Sequence, residues 1–476
     1  MTGEAQPLQP PSVLILYTDQ WRWDALGCLG SPALTPVLDA LAADGVHFDH
    51  AVAQSPVCMP SRASLLTGRY PSDLGITHMG VPVPPDTETI ATVLGRRGYR
   101  TANIGKLHFQ PHANRDHASP HPTYGFDELV LSDEPGVYED DYRAWVRTED
   151  PTALEGLSPG LPPAARTWQE TLGEHDGIHD ADQAPRSDFG AVHEFPSAPR
   201  LTHTAWVATR TIDHLASLVP DQPALTIASF FSPHAPFNVP ATFLDLYDRD
   251  RLPLPDLSDA ERTRQEVEGP SDEQIRMVRH GYYAAISEVD HHIGRILGHL
   301  ADAGRANNTI VVFVSDHGEW LGDHLRFSKG YPADDPVSRV PLIIRWPVGI
   351  ASPGRRVTDI VELIDILPTL LEASAVPVPR TMQGHSLLTA LRDGELHRPA
   401  IAVTEHDGWR SVRTPRYRYL IHADGTECLW DLDRDPSGHV DVAADAAHTD
   451  ALAEHRRLLL QRLLETERPL PRTWPY

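Results

Sequence analysis

Between Val13 and about Ser374, short β-branched runs alternate with longer stretches of helical period, and this alternation most limits how the chain can fold. It is the pattern of an α/β fold with a mostly parallel sheet. Strands are predicted at Val13–Tyr17, Thr101–Ile104, Leu225–Phe231, Ile310–Val314 and Leu342–Arg345, and helices at Thr35–Ala43, Ser61–Leu66, Ile90–Arg97, Thr202–Leu218 and Glu273–Ala303. The last helix carries an apolar stripe through Val278, Tyr282, Ile286, Val289, Ile293 and Ile296, which suits docking on a sheet. From Pro377 the texture changes. Pro and Gly punctuate shorter segments, Ala400–Thr404, Arg410–Arg413, Tyr417–His422 and Glu427–Asp431 read as antiparallel strands, and Ala451–Leu464 as a closing helix. The expected organisation is a large domain over 1–376 and a small antiparallel α+β subdomain over 377–476. Residues 151–199, rich in Pro, Gly, Asp and His, form an irregular insertion.

The 476 residues carry 41 Lys+Arg against 66 Asp+Glu, a net charge of -25, which repels phosphate backbones and anionic membranes, so no nucleic-acid partner is expected. No window reaches the roughly eighteen apolar residues of a membrane span. Met1 to Pro11 lack the basic start and apolar stretch of a signal peptide, so a cytoplasmic location is expected. Cys28, Cys58 and Cys428 are odd in number and widely spaced, which excludes a disulfide framework and a Cys-only zinc site. A cysteine with a role here acts individually.

In an open parallel sheet, ligands bind beyond the carboxyl ends of the strands. Val13–Tyr17 is followed by Asp19 and Gln20, Thr101–Ile104 by Gly105, Lys106 and His108, Leu225–Phe231 by His234, and Ile310–Val314 by Asp316 and His317. Asp19, Gln20, Asp316 and His317 offer three oxygens and one nitrogen, a set able to hold one divalent cation. Lys106 and His108 are two apart, so in extended backbone both project to one side, beside the metal where an oxyanion needs them. Singly, each has an ordinary reading. An Asp after a strand is commonly a turn former or helix cap, and the histidines of the His112–His121 stretch and of the insertion read as solvated loop residues. The coincidence of position carries the site.

It is strengthened by Cys58-Met59-Pro60-Ser61-Arg62, with Thr67-Gly68 beginning five residues beyond the arginine. This resembles the signature of the type I sulfatases, whose cysteine is oxidised to formylglycine by a dedicated maturation enzyme. A small buried cysteine at a helix start would account for Cys58 alone, not for its neighbours. The likeness runs over nearly the whole chain. Gly105-Lys106-Leu107-His108, Ser232-Pro233-His234-Ala235-Pro236, Ser315-Asp316-His317-Gly318-Glu319 and Lys329-Gly330 match further blocks of the family in order, and Leu429 to Pro436 resembles its closing strand and turn. The resemblance implies an alkaline-phosphatase-like α/β sandwich whose catalytic domain is 1–376, with the C-terminal antiparallel subdomain beside it. Two departures stand out. Many arylsulfatases have adjacent Asp residues where this chain has Asp19-Gln20, and Asn where it has His317, a pattern more like choline sulfatases and phosphonate monoester hydrolases. Lys106 and His108, by contrast, are the pair typical of sulfatases, and around His78 and Met79 the family pattern of Asp-Asn is lost.

The implied activity is hydrolysis of a sulfate monoester to alcohol and inorganic sulfate. A thiol is a poor reversible nucleophile for a sulfuryl group, whereas an aldehyde hydrate offers two hydroxyls. By the resemblance, residue 58 joins Asp19, Gln20, Asp316 and His317 around one divalent metal, Ca2+ in first place and Mn2+ in second. One hydroxyl of formylglycine 58 is activated by the metal, with Arg62 steadying it, and attacks sulfur; His234 or Lys329 assists the leaving alcohol. His108 then deprotonates the second hydroxyl and sulfate leaves, while Lys106, His108, His234 and Lys329 contact the substrate. The expected partners are a small-molecule sulfate ester and a formylglycine-generating enzyme. The alternatives are a phosphodiesterase or phosphonate monoester hydrolase on the same site, and a non-catalytic anion binder with Cys58 unmodified, against which the intact motif set argues. Trp168, His175 and His179 in the insertion are candidates for lining the alcohol pocket. Peptide mass spectrometry of protein made beside a maturation enzyme is expected to find the Cys58 peptide lighter than its thiol form by about 18 Da, whereas every product of ordinary thiol oxidation is heavier. Recovery of the free thiol alone would sink this expectation.

Overall fold

The computed structural model describes residues 10–111, 121–160, 192–392, 395–396, 398 and 400–467. Its strands are β1 (Ser12–Thr18), β2 (Val46–Val52), β3 (Arg100–Gly105), β4 (Glu128–Leu131), β5 (Val192–Glu194), β6 (Ala224–Ser229), β7 (Phe237–Val239), β8 (Thr309–Ser315), β9 (Arg339–Arg345) and β10 (Arg355–Glu362), followed by β11 (Ala402–His406), β12 (Trp409–Arg413), β13 (Tyr417–His422) and β14 (Glu427–Asp431). Eight of them form one sheet in the order β10-β2-β9-β8-β1-β6-β3-β4. Every pair is parallel except those made by β9, which runs against both neighbours.

Side chains of the central strands divide between two cores. Val13, Ile15 and Tyr17 of β1 enter one, and Leu14 and Leu16 the other; in β8, Ile310, Val312 and Val314 part from Val311 and Phe313 in the same way. That is the period-two geometry of a strand buried on both faces, and it is why these strands read as continuous apolar runs. The main helices are α1 (Pro36–Ala43), α2 (Cys58–Thr67), α3 (Ile90–Gly95), α4 (His203–Ser217), α5 (Asp259–Glu268), α6 (Asp272–Asp302), α7 (Ile366–Ala373) and α8 (Thr449–Thr466). Helices α2, α3 and α7 cover the first face, and α1, α4 and α6 the second. Helix α6 starts where it does because Ser271 and Gln274 cap each other's backbone N–H. Its predicted stripe, Val278 to Leu300, lies in the second core.

The register of the parallel strands brings their ends level. Tyr17 pairs with Ser229, Thr18 with Ser315 and Gly105 with Ser229, so the segments after β1, β3, β6 and β8 leave the sheet at one edge. The expected α/β fold is present with differences. Strands β2 and β10 were not indicated by pattern because polar residues interrupt them, and β4 because it is only four residues long. In β2, His47 and Asp49 satisfy each other at 2.9 Å and Arg356 reaches Asp49 at 2.8 Å, so the apolar residues between them still pack. Helix α2 begins at Cys58, three residues before the predicted start, since Pro60 falls in the first turn where no N–H is needed. At the ends of the 151–199 segment, Pro151–Gly156 forms a 3-10 turn and β5 pairs with β7. Trp168, His175, His179 and residues 112–120 lie outside the described residues. No helix among the described residues is long and apolar enough to cross a membrane.

The C-terminal strands form an antiparallel sheet, β11-β12-β13-β14, whose Val403, Val412, Tyr419 and Leu429 pack with Leu459 of α8 and with Tyr70 and Ile364 of the larger unit. One buried carboxylate joins the two units. Glu362, at the end of β10, accepts from Tyr70 Oη (2.6 Å), the Val403 N–H (2.9 Å), Arg398 (2.8 Å) and Arg462 of α8 (2.6 Å). Removing one partner of such a cluster leaves buried charge uncompensated. Glu362→Ala is therefore expected to cost about 3–5 kcal/mol in equilibrium denaturant unfolding. A loss under about 1 kcal/mol would mean that the arginines find other acceptors.

Candidate active site

Helix α2 aims its first turn into the edge where the strand ends meet, with Val57 extended just before it. Ser61 Oγ donates to the Asp316 carbonyl (2.5 Å), pinning the helix start to the end of β8. One residue on, the wholly buried Arg62 donates from Nε to Asp316 Oδ2 (2.8 Å), from Nη2 to Asp19 Oδ2 (3.4 Å) and from Nη1 to Ser229 Oγ and the Lys106 carbonyl (3.0 Å each). Its guanidinium carbon sits 4.5 Å over the Tyr17 ring.

Cys58 Sγ lies at the centre of the polar groups. Lys329 Nζ donates to it at 2.7 Å, His317 Nε2 is 3.2 Å away and Asp19 Oδ1 3.6 Å. Lys106 Nζ is 2.7 Å from Asp19 Oδ2, and Lys329 Nζ also donates to His234 Nε2 at 2.7 Å. Both imidazoles have fixed tautomers. His317 Nδ1 bonds the Gly318 carbonyl (2.8 Å) and His234 Nδ1 the Ala235 carbonyl (2.5 Å), so each neutral ring turns its Nε2 lone pair toward the site.

Burial opposes every charge here, and the partners decide the outcome. For Asp19, burial raises the pKa but Lys106, Lys329 and Arg62 hold it well below the usual carboxylate range. Burial and Asp19 push the Cys58 thiol up, yet Lys329, Lys106 and His317 bring it below its ordinary value. His234 is lowered well below the usual range by burial and by Lys329, which keeps it neutral. In His317, burial lowers the pKa while Asp316 and Cys58 raise it to a net increase; a cation at the site would reverse that balance.

Ligand atoms of Asp19, Cys58, Asp316 and His317 all lie within 4.8 Å of one another, and all four residues are buried. Gln20 supplies the fit test. Its Nε2 is held by Glu319 Oε2, while its Oε1 is buried without a hydrogen-bond partner. An orphaned carbonyl oxygen beside two carboxylates and an imidazole lone pair suits a divalent cation. Asp19, Gln20, Cys58, Arg62, Lys106, His234, Asp316, His317 and Lys329 are therefore brought together or held in one network.

His108 arrives by a route other than the expected one. Asp133 Oδ1 accepts both the Leu107 and His108 N–H groups (2.8 and 2.9 Å), and His108 turns to φ 53, so the alternation of an extended strand does not apply to it. Its side chain is buried two residues beyond Lys106. Gly105 makes the close approach there possible, since a Cβ at this position would meet the Ser229 carbonyl oxygen at 1.9 Å. Sequence pattern did not disclose Tyr17, Asp133, Ser229 or the role of Glu319, although Glu319 stands within the Ser315–Glu319 block. It also missed a narrow cavity beside His234, lined by Tyr142, Phe195, Phe231, Phe237, His203 and Glu288. Burial pushes Glu288 up to about 8, against a 2.6 Å hydrogen bond from Thr202, and pushes His203 down to about 3.

A family model described as Sulfatase matches residues 11–376, and one described as N-sulphoglucosamine sulphohydrolase, C-terminal, matches residues 322–466. The chain is 28% identical to an arylsulfatase of Clostridium perfringens over 95% of this chain and 94% of that one. It is 30% identical to an ulvan-active sulfatase of Formosa agariphila, over 90% of this chain and 76% of the other. Among solved structures, the phosphonate monoester hydrolase of Agrobacterium radiobacter superposes with a TM-score of 0.81 at 26% identity, covering 96% of each chain.

The raised Glu288 carboxyl sets a pH dependence. Between the ordinary 4.5 and about 8, the folded protein holds a proton that the unfolded chain has lost, so this group's contribution to stability falls as pH rises through that window. Glu288→Gln keeps the acceptor for Thr202 and removes the titration. Its unfolding free energy is expected to match the parent near pH 4 and exceed it by about 3 kcal/mol at pH 7. A difference independent of pH would contradict the assignment.

Proposed function

The chain belongs to the sulfatase family, and from that premise we propose that it hydrolyses a sulfate monoester to an alcohol and inorganic sulfate with residue 58 as nucleophile. The observation that carries the proposal is the convergence of Lys329, His317 and Asp19 on Cys58 Sγ. Converted to formylglycine, residue 58 would supply a hydrated aldehyde with one hydroxyl for attack and one for release. A divalent cation held by Asp19, Gln20, Asp316, His317 and residue 58, Ca2+ in first place and Mn2+ in second, would supply the positive charge that acidifies a hydroxyl there.

The protein's own groups do the remaining work. Arg62 holds Asp19 and Asp316 in place. Lys106, over the Phe231 ring at 4.8 Å, and Lys329 present ammonium groups to the ester oxygens. His234 is neutral and accepts from Lys329, with its own N–H on a backbone carbonyl, so the proton for the leaving alcohol comes from Lys329 Nζ and His234 orients it. His108, buried on the Lys106 segment, serves as the proton acceptor that completes release of sulfate.

Hydrolysis of a phosphonate monoester or phosphodiester is the second reading, supported by the Gln20 and His317 pair and by the 0.81 superposition on a phosphonate monoester hydrolase. A sulfate monoester offers three non-bridging oxygens, whereas a diester replaces one with a bulky ester oxygen. In parallel assays of matured enzyme on aryl sulfate, phosphodiester and phosphonate substrates, Lys106→Ala is expected to lower kcat/KM for the sulfate about a hundredfold, roughly 3 kcal/mol, with a smaller effect on the diester. Chelation and Asp316→Ala should each remove the metal, read by elemental analysis, together with turnover. A parent enzyme that prefers the diester or phosphonate would transfer the assignment to the second reading.

A further inference from the structure

A second group of metal-ligating side chains lies outside the residue 58 network, where three segments distant in sequence meet. Glu261 is in the first turn of α5, His324 in the 3-10 turn Asp323–Leu325 that follows the Asp316-His317 motif, and His439 in the turn after β14. Their ligand atoms all lie within 4.8 Å of one another. Glu261 Oε1 is 2.7 Å from His324 Nδ1, Oε2 is 3.0 Å from His439 Nδ1, and the two rings are 4.9 Å apart.

Hydrogen bonds within the cluster leave one of its buried nitrogens, His439 Nδ1, unsatisfied. His324 Nε2 bonds the Ser437 carbonyl (2.9 Å), which fixes the ring with Nδ1 as the atom that faces Glu261. Ser258 donates to Glu261 Oε2 from both N–H and Oγ at 2.9 Å, which fixes the carboxylate between the two rings. His439 Nδ1 is buried beside Oε2 without making a hydrogen bond. Three groups able to ligate a cation thus face one another from three sides. The surrounding groups also have the form that supports metal ligands: an imidazole N–H on a backbone carbonyl, and a carboxylate oriented by donors behind it. His324 holds a left-handed backbone, φ 55, to reach this position.

We propose that Glu261, His324 and His439 form a second metal site, a two-histidine, one-carboxylate set suited to Zn2+, with water completing the coordination. Two nitrogens disfavour Ca2+, and side chains 13–14% exposed leave the ion a path from solvent. The bound ion would tie the turn after β14 to the loop that carries Lys329, a structural cross-link independent of the reaction at residue 58.

The test uses the full chain, stripped with EDTA and dialysed. Asp316→Ala disables the first site, and calorimetric titration with Zn2+ is expected to find one equivalent bound in that variant, with a rise in Tm. Adding His439→Ala or Glu261→Gln to it should weaken Zn2+ binding at least about a hundredfold and abolish the Tm rise. If Asp316→Ala does not fold, the wild-type protein should hold one more zinc per chain than His439→Ala by elemental analysis. Equal zinc content in folded wild type and His439→Ala, or no zinc uptake by a folded Asp316→Ala protein, would overturn the proposal.

Discussion

A guanidinium with no exposed surface, set between two carboxylates, holds the site edge of the sheet together. Asp19 and Asp316 leave neighbouring strands side by side, where desolvation and mutual repulsion both oppose a pair of carboxylates. Arg62 removes both costs, and its remaining N–H groups reach Ser229 at the end of β6 and the Lys106 carbonyl after β3. One side chain on a helix therefore ties four strand ends together. Lysine could not replace it, since a single ammonium lacks the planar fork that serves several acceptors at once.

That arrangement produces a local field opposite to the protein's overall charge. The whole chain carries -25, yet Arg62, Lys106 and Lys329 outnumber Asp19 and Asp316 around residue 58. Within about a Debye length the surface repels an anionic ester, while inside the site the lysines attract it through a medium of low polarity. Gln20 contributes by standing where a third carboxylate would add negative charge. Its partner Glu319, pushed up to about 7 by burial, holds the amide so that the carbonyl oxygen is left for another partner.

The C-terminal sheet belongs to this architecture through polar contacts as well as apolar ones. Glu362 joins β10 to Val403 and Arg462 on one side, and Glu261, His324 and His439 gather at another. Glu362 stands at a strand end and His324 and His439 between regular elements, where backbone direction changes and a side chain can reach across to the helices that carry Arg462 and Glu261. The alkaline-phosphatase-like fold thus places its smaller sheet against the loop that delivers Lys329.

The strands buried on both faces were legible because burial on both sides leaves no room for polar residues, as Val311 to Val314 show. The motif around Cys58 was legible because it resembles a family signature of fixed residue types at fixed spacings, and strand-end position pointed to Asp19, Lys106, His234 and Asp316. Strands β2 and β10 stayed hidden, since the pairing of His47 with Asp49 and the salt bridge to Arg356 neutralise polar groups only when distant segments meet. The same reason governs His108, turned by Asp133 out of the alternation its spacing suggested, and Glu288, whose raised pKa exists only because helices and loops exclude water from it. Sequence alone determined which groups could do chemistry and which stretches must be strands. Tertiary structure decided protonation, orientation and partnership, because each depends on what surrounds a side chain in space, and the residues around Cys58 come from positions as far apart as 19 and 329.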